Sequence, residues 1–175
     1  MKPGADARTP GVRRTAVVLG VLFLLDLGYS GQGLLSLLVA VSGLVLLTAG
    51  AVWSSVRRAS SLARSRVLRA ALYLVLGAAT LATTRLNAAI AETRAARVIA
   101  ACRVFELRHG ALPNRLEDLV PEFLPAVPRA KYTLAWGDFT YASSRTTGHT
   151  LMYVALPPFG RRIYSFEDGR WRQLD

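Results

Sequence analysis

Any chemistry in this chain would have to come from very few side chains. Two histidines, His109 and His149, one cysteine, Cys102, and one carboxylate inside an apolar run, Asp26, are the residues whose types could supply it. Imidazoles serve as general bases and metal ligands, but two are too few for most imidazole metal sites. His109 precedes Gly110 in what reads as the last turn of a helix, where the helix dipole favours an imidazolium without any catalytic role. Cys102 has no His, Asn or Asp close by in sequence to activate a thiolate, so it reads as a small buried core residue. A carboxylate inside a membrane segment can relay protons or bind a partner. Asp26 also stands beside a glycine-rich stretch, where interfacial water could satisfy it. Neither a glycine-rich phosphate loop, a paired-histidine motif nor a Gly-x-Ser-x-Gly elbow occurs. Ser, Asp and His residues of the C-terminal half show no recognisable spacing. The chain is therefore expected not to be an enzyme, and to hold no cofactor and no metal.

The elements that would position these residues begin with apolar helices. Of 175 residues, 52% are hydrophobic, and they crowd into 16–53 and 70–82. The run 15–53 would make a helix of nearly ~60 Å, about twice a hydrocarbon core, so something must break it. Gly28-Tyr-Ser-Gly-Gln-Gly33 is the expected turn. It leaves a first span at 15–27 and a second at 34–54. A third, at 70–84, is flanked by Arg69 and Arg85, whose stems can snorkel to lengthen it. Net charge is +11, yet nine of the 22 basic residues lie in 1–14 and 57–69, beside the spans. That placement fits the positive-inside rule and excludes a nucleic-acid stripe. It puts the N-terminus in the cytoplasm and the C-terminal part outside. The first segment also has the basic and apolar regions of a signal peptide, with Gly28 and Ser30 spaced like a cleavage site; either way the C-terminal part is exported. The expected organisation is a basic tail at 1–14, a two-span hairpin at 15–54, a basic cytoplasmic loop at 55–69, a third span at 70–87 and an extracytoplasmic head at 88–175.

The third span does not stop at the membrane surface. Its pattern continues as an amphipathic helix to His109, with Ala91, Ala95, Val98, Cys102 and Phe105 on one face. Gly110 ends it. Asn114 is the expected N-cap of a short helix at 115–120, with Glu117 as its capping partner. Beyond the prolines 121, 125 and 128 the chain reads as four or five short antiparallel strands. Tyr132–Trp136 alternates, turns at Gly137-Asp138 and resumes at 139–142. Further runs cover 151–156, 162–167 and 170–173, the last two joined at Asp168-Gly169. Trp136, Tyr141, Tyr153, Tyr164, Phe166 and Trp171 are expected in the core and in cross-strand pairs.

These residues carry a family likeness. Phe105-Glu-Leu-Arg-His-Gly-Ala-Leu-Pro113, Leu116-Glu-Asp-Leu-Val-Pro121 and Phe123-Leu-Pro125 together resemble the stretch after the spine helix in type II secretion pseudopilins and other type IV pilin-like proteins. The likeness covers about 70–128 and implies an α+β head built on a spine helix. It does not extend to the prepilin-peptidase site, since the spine helix starts Val67-Leu-Arg-Ala-Ala71 with neither the glycine nor the glutamate of that site. Nor does it bring a calcium site, because the stretch 143–149 has no carboxylate.

The fold class expected is a membrane protein of about three transmembrane helices, the third continuing into the spine of a small α+β pilin-like head with a four- to five-stranded antiparallel sheet. The expected function is that of a structural or accessory subunit of a membrane complex at the bacterial inner membrane. The alternative is a ligand-sensing module relaying through its spans. Candidate interaction residues are Asp26, Gly43 and Gly50 in the spans and Ala91 and Ala95 on the stem. The partners expected are the lipid bilayer and membrane proteins, self-association included, and no nucleic acid.

Overall fold

The computed structural model describes residues 9–56, 63–144, 148–156 and 160–174. Helix α1 spans Thr9–Phe23 and passes into a wider π-helical stretch, Leu24–Ser30. After a break, α2 covers Leu34–Val56 and α3 Ala63–His109. A 3-10 turn, Leu116–Leu119, precedes strands β1 (Thr140–Ser144), β2 (Gly148–Leu156), β3 (Gly160–Ser165) and β4 (Arg170–Leu174). The chain divides into two compact units, one comprising residues 1–29 and 33–83, the other 30–32 and 84–175.

In the first unit, small residues let helices approach. Leu19, Ala40 and Leu76 form its buried core, with Phe23, Val39, Leu72 and Tyr73 packed around them. Gly77 lies opposite Ala40, and Gly43 opposite Tyr73. Most side chains of these helices nevertheless face outward, among them Val17, Leu38, Leu46 and Leu74. Leu34–Trp53 and Ser65–His109 are long and apolar enough to cross a bilayer, with only 17% and 11% of their apolar windows buried. A core helix of a water-soluble domain would bury far more of its apolar surface. The expected turn 28–33 holds the break, narrowed to 31–33: the π-helical stretch absorbs Gly28, and Gly31 and Gly33 both take a φ of 70°. Left-handed backbone is what glycine supplies without steric penalty. Helix α3 begins at Ala63, one turn before Val67, where the spine helix was expected to start.

In the second unit the C-terminal part of α3 packs against a four-stranded antiparallel meander of order β1-β2-β3-β4. The predicted stripe holds: Ala91, Ala95, Val98 and Cys102 are fully buried, and Phe105 packs at their edge. Alanines at 91 and 95 let the sheet come close to the helix. From the sheet side, Leu151, Tyr153 and Phe166 are buried, and Leu116 and Leu119 fold back from the 3-10 turn. Burying a Leu, Val or Phe stabilises by about 1.5–3 kcal/mol each. Exposed ion pairs such as Arg115–Asp118 contribute below ~1 kcal/mol, so the apolar layer holds this unit together. Edge-to-face aromatic pairs line the sheet: Tyr141–Phe166, Tyr164–Phe166 and Tyr153–Trp171. Tyr141 closes the layer by donating its hydroxyl to the Pro113 carbonyl at 2.8 Å.

Two local expectations shift. The short helix is capped one residue later than read, with Asp118 Oδ2 accepting from the Arg115 N–H at 3.0 Å in place of the Asn114–Glu117 box. In Arg115-Leu-Glu-Asp118 the carboxylate stands three residues on, the same spacing as in the expected box. Residues 132–136 are not a strand, and Trp136 is half exposed instead of buried. Residues 145–147, within the polar connection expected between β1 and β2, and 157–159 lie outside the described residues.

Candidate functional site

Asp26 is 6% exposed, and its Oδ2 accepts from the backbone N–H of Ser36 at 2.7 Å. Ser36 is the third residue of α2, so this N–H is one that the helix itself cannot satisfy. The carboxylate thus caps α2 from across the break, where the helix dipole also favours negative charge. Ser36 is fully buried, and its Oγ has no hydrogen-bond partner among the described residues. Gly43 packs directly against the Tyr73 ring, whereas a side chain at Gly50 would meet open space. The two glycines, seven residues apart on one helix line, do not share a partner within the chain. Ala91 and Ala95 are covered by the molecule's own sheet, so their closeness serves internal packing.

Further out on the second unit, Ala96, Ile99 and Ala100 of α3 form a groove with Glu92, Arg162 and Trp171, about 460 Å³ in volume. That size suits a small ligand. Its two charges already engage each other: Arg162 pairs with Glu92 and lies over the Trp171 ring at 5.2 Å. Arg162 also donates to the Tyr153 hydroxyl at 3.4 Å, a phenol whose pKa burial pushes upward.

Sequence spacing gave no sign of one cluster. The β1–β2 register sets Ser143 directly opposite His149. Ser143 Oγ lies 3.2 Å from His149 Nε2, and His149 Nδ1 lies 3.2 Å from Glu167 Oε1. Glu167 also accepts from the His149 backbone N–H at 2.7 Å. Desolvation works against its charge, but hydrogen bonds from the His149 and Glu167 backbone N–H groups and from the His149 ring together hold the carboxyl below the ordinary range. Gly148, at φ 70°, leaves the space: a Cβ there would fall 2.3 Å from the carboxylate carbon. Hydroxyl, imidazole and carboxylate stand in the order of a hydrolytic triad. They sit on the β1–β2 hairpin, with Ser143 exposed. We read the cluster as bracing β1, β2 and the β3–β4 turn. Among the described residues no three His, Cys, Asp or Glu side chains group as metal ligands. Cys102 is buried, and burial pushes its thiol up to about 12, where it is not a nucleophile at neutral pH.

The segment misread as a strand is the most unusual part of the molecule. Its alternation is real but inverted. Lys131, Thr133 and Gly137 point inward and are buried, while Tyr132, Leu134 and Trp136 point outward at 69%, 75% and 50% exposure. Every buried polar group in it is engaged. Lys131 Nζ donates to the Ala155 carbonyl, Thr133 Oγ1 to Ala135 at 2.7 Å, and the Lys131 N–H to Gly137 at 3.0 Å. Arg129 staples the loop, donating to the Thr133 carbonyl at 2.9 Å and to Asp138 at 2.7 Å. From α3, Arg94 donates to the Arg129 carbonyl and lies over the Tyr132 ring at 4.1 Å. Trp136 takes a φ of 57°, which a bulky side chain rarely adopts. The stapled loop presents three large apolar side chains outward.

No family model matches the chain, and neither the curated proteins nor the solved structures contain a match.

Proposed function

We propose that this chain is a membrane-anchored structural or accessory subunit with a pilin-like head, which works by docking other membrane proteins. The observation that carries this reading is α3. One helix of 47 residues has an outward-facing apolar first part and a second part that is the spine of the α+β unit. In this reading α1 with its π-helical extension forms a further span, so that three cross the bilayer. The basic residues of 1–14 and 57–69 stay in the cytoplasm and the head lies outside. The exposed apolar side chains Val104 and Leu107 on the stem are the kind of surface a docking partner covers. Gentle detergent extraction from native membranes, followed by mass spectrometry of co-purifying proteins, tests the reading. A stoichiometric membrane-protein partner is expected, and a chain that emerges alone contradicts it.

The groove between α3 and Trp171 favours a second reading, in which the head binds a small ligand. Paired Glu92 and Arg162 would have to separate to serve it, which is why docking comes first.

A further inference from the structure

We propose that the loop 129–138 is a bilayer anchor: Tyr132, Leu134 and Trp136 seat in the lipid interface. The inference rests on the reading that α1, α2 and the first part of α3 lie in the bilayer. Its first support is the inversion itself. In a loop facing water the large apolar side chains turn in and the lysine turns out; here both are reversed and every inward polar group is satisfied. Such a pattern suits an apolar surrounding. Its second support is position. Gly31, in the break between α1 and α2, groups with the head, and a Cβ there would lie 2.7 Å from Thr133 Cγ2. Thr133 of the loop therefore lies against Gly31, in the break between α1 with its π-helical extension and α2. Its third support is chemistry. Tyr and Trp concentrate at membrane interfaces, where one end of the ring is apolar and the other wet. Arg94 and Arg129 hold the loop, and Arg97, exposed one turn along α3, adds a cation facing headgroup phosphates. The staples mean that little conformational freedom is lost on insertion.

The test is spin-label accessibility on the full chain reconstituted in nanodiscs of phosphatidylcholine and phosphatidylglycerol. Labels go singly at Leu134→Cys, at Leu107→Cys on the far part of α3 and at Val75→Cys in the apolar part. All three positions are exposed, and buried Cys102 does not compete for the reagent. The expected result is an oxygen-to-nickel-chelate accessibility ratio several-fold higher at 134 than at 107, and highest at 75. A ratio at 134 equal to that at 107, with 75 still lipid-exposed, overturns the anchor and leaves the span reading standing. An aqueous signal at 75 overturns the span reading itself. Dipolar broadening at 134 identifies a second copy as the occupant. A label at 134 shielded from both reagents in native membranes, but aqueous in nanodiscs, identifies a protein. Either of these last results also overturns the proposal.

Discussion

The Tyr73 ring lies where a side chain at Gly43 would have to be: a Cβ on Gly43 would fall 2.5 Å from Tyr73 Cε1. Glycine at 43 is therefore what allows α2 and α3 to meet, and Gly50, one heptad along, has no such neighbour. Gly43→Val should destabilise the helix pair by about 1–3 kcal/mol, the usual cost of overpacking a close contact. Gly50→Val should leave it unchanged. Thermal unfolding of the full chain in detergent compares the two, and equal Tm values would show that the contact does not hold the helices.

Asp26 gives a second contrast. Its carboxylate satisfies the buried Ser36 N–H. Asp26→Leu strands that donor and should cost about 1–3 kcal/mol. Asp26→Asn keeps an acceptor and should lose much less. If Asn proves as damaging as Leu, the negative charge itself matters, and a role in proton or ion traffic replaces the capping role.

How much of this was legible beforehand depended on whether the pattern also carried its direction. The stripe Ala91–Ala95–Val98–Cys102 was legible because a 3.6-residue period of apolar residues beside charged Arg94 and Arg97 admits one inward face. The strands at 148–156, 160–165 and 170–174 were near-legible for the same reason, with Gly169 at φ 64° marking their last turn. Tyr132, Leu134 and Trp136 were legible as an alternating set, yet alternation says that two faces differ and not which one meets the core. Side chains acting across strands, such as Ser143, His149 and Glu167, were not legible, because register decides their meeting. The π-helical stretch was missed because Gly28 signals a turn on composition alone.

Lys131 should give the head a particular pH response. Its ammonium is buried, and burial lowers its pKa to about 8 from 10.5. The folded state thus loses this proton near pH 8, while the unfolded chain keeps it to about 10.4. Between those values the unfolded state binds more protons, so the Lys131 contribution raises stability as pH increases through that window. The shift corresponds to at most about 3 kcal/mol. Lys131→Met should flatten this part of the stability–pH curve, as read from Tm between pH 7 and 10. A slope unchanged in the variant would assign the effect to other groups.

The central claim is that α3 carries the head out of the membrane while the basic segments remain inside. Cysteine labelling in intact cells, with a maleimide that cannot cross the inner membrane, tests it most directly. Ser143→Cys reports the head and Ser60→Cys the connection between α2 and α3, with Cys102 buried and silent. Labelling at 143 in intact cells, and at 60 only after the inner membrane is opened, is the predicted result. Labelling at 60 with 143 protected, or at both positions alike, would contradict it.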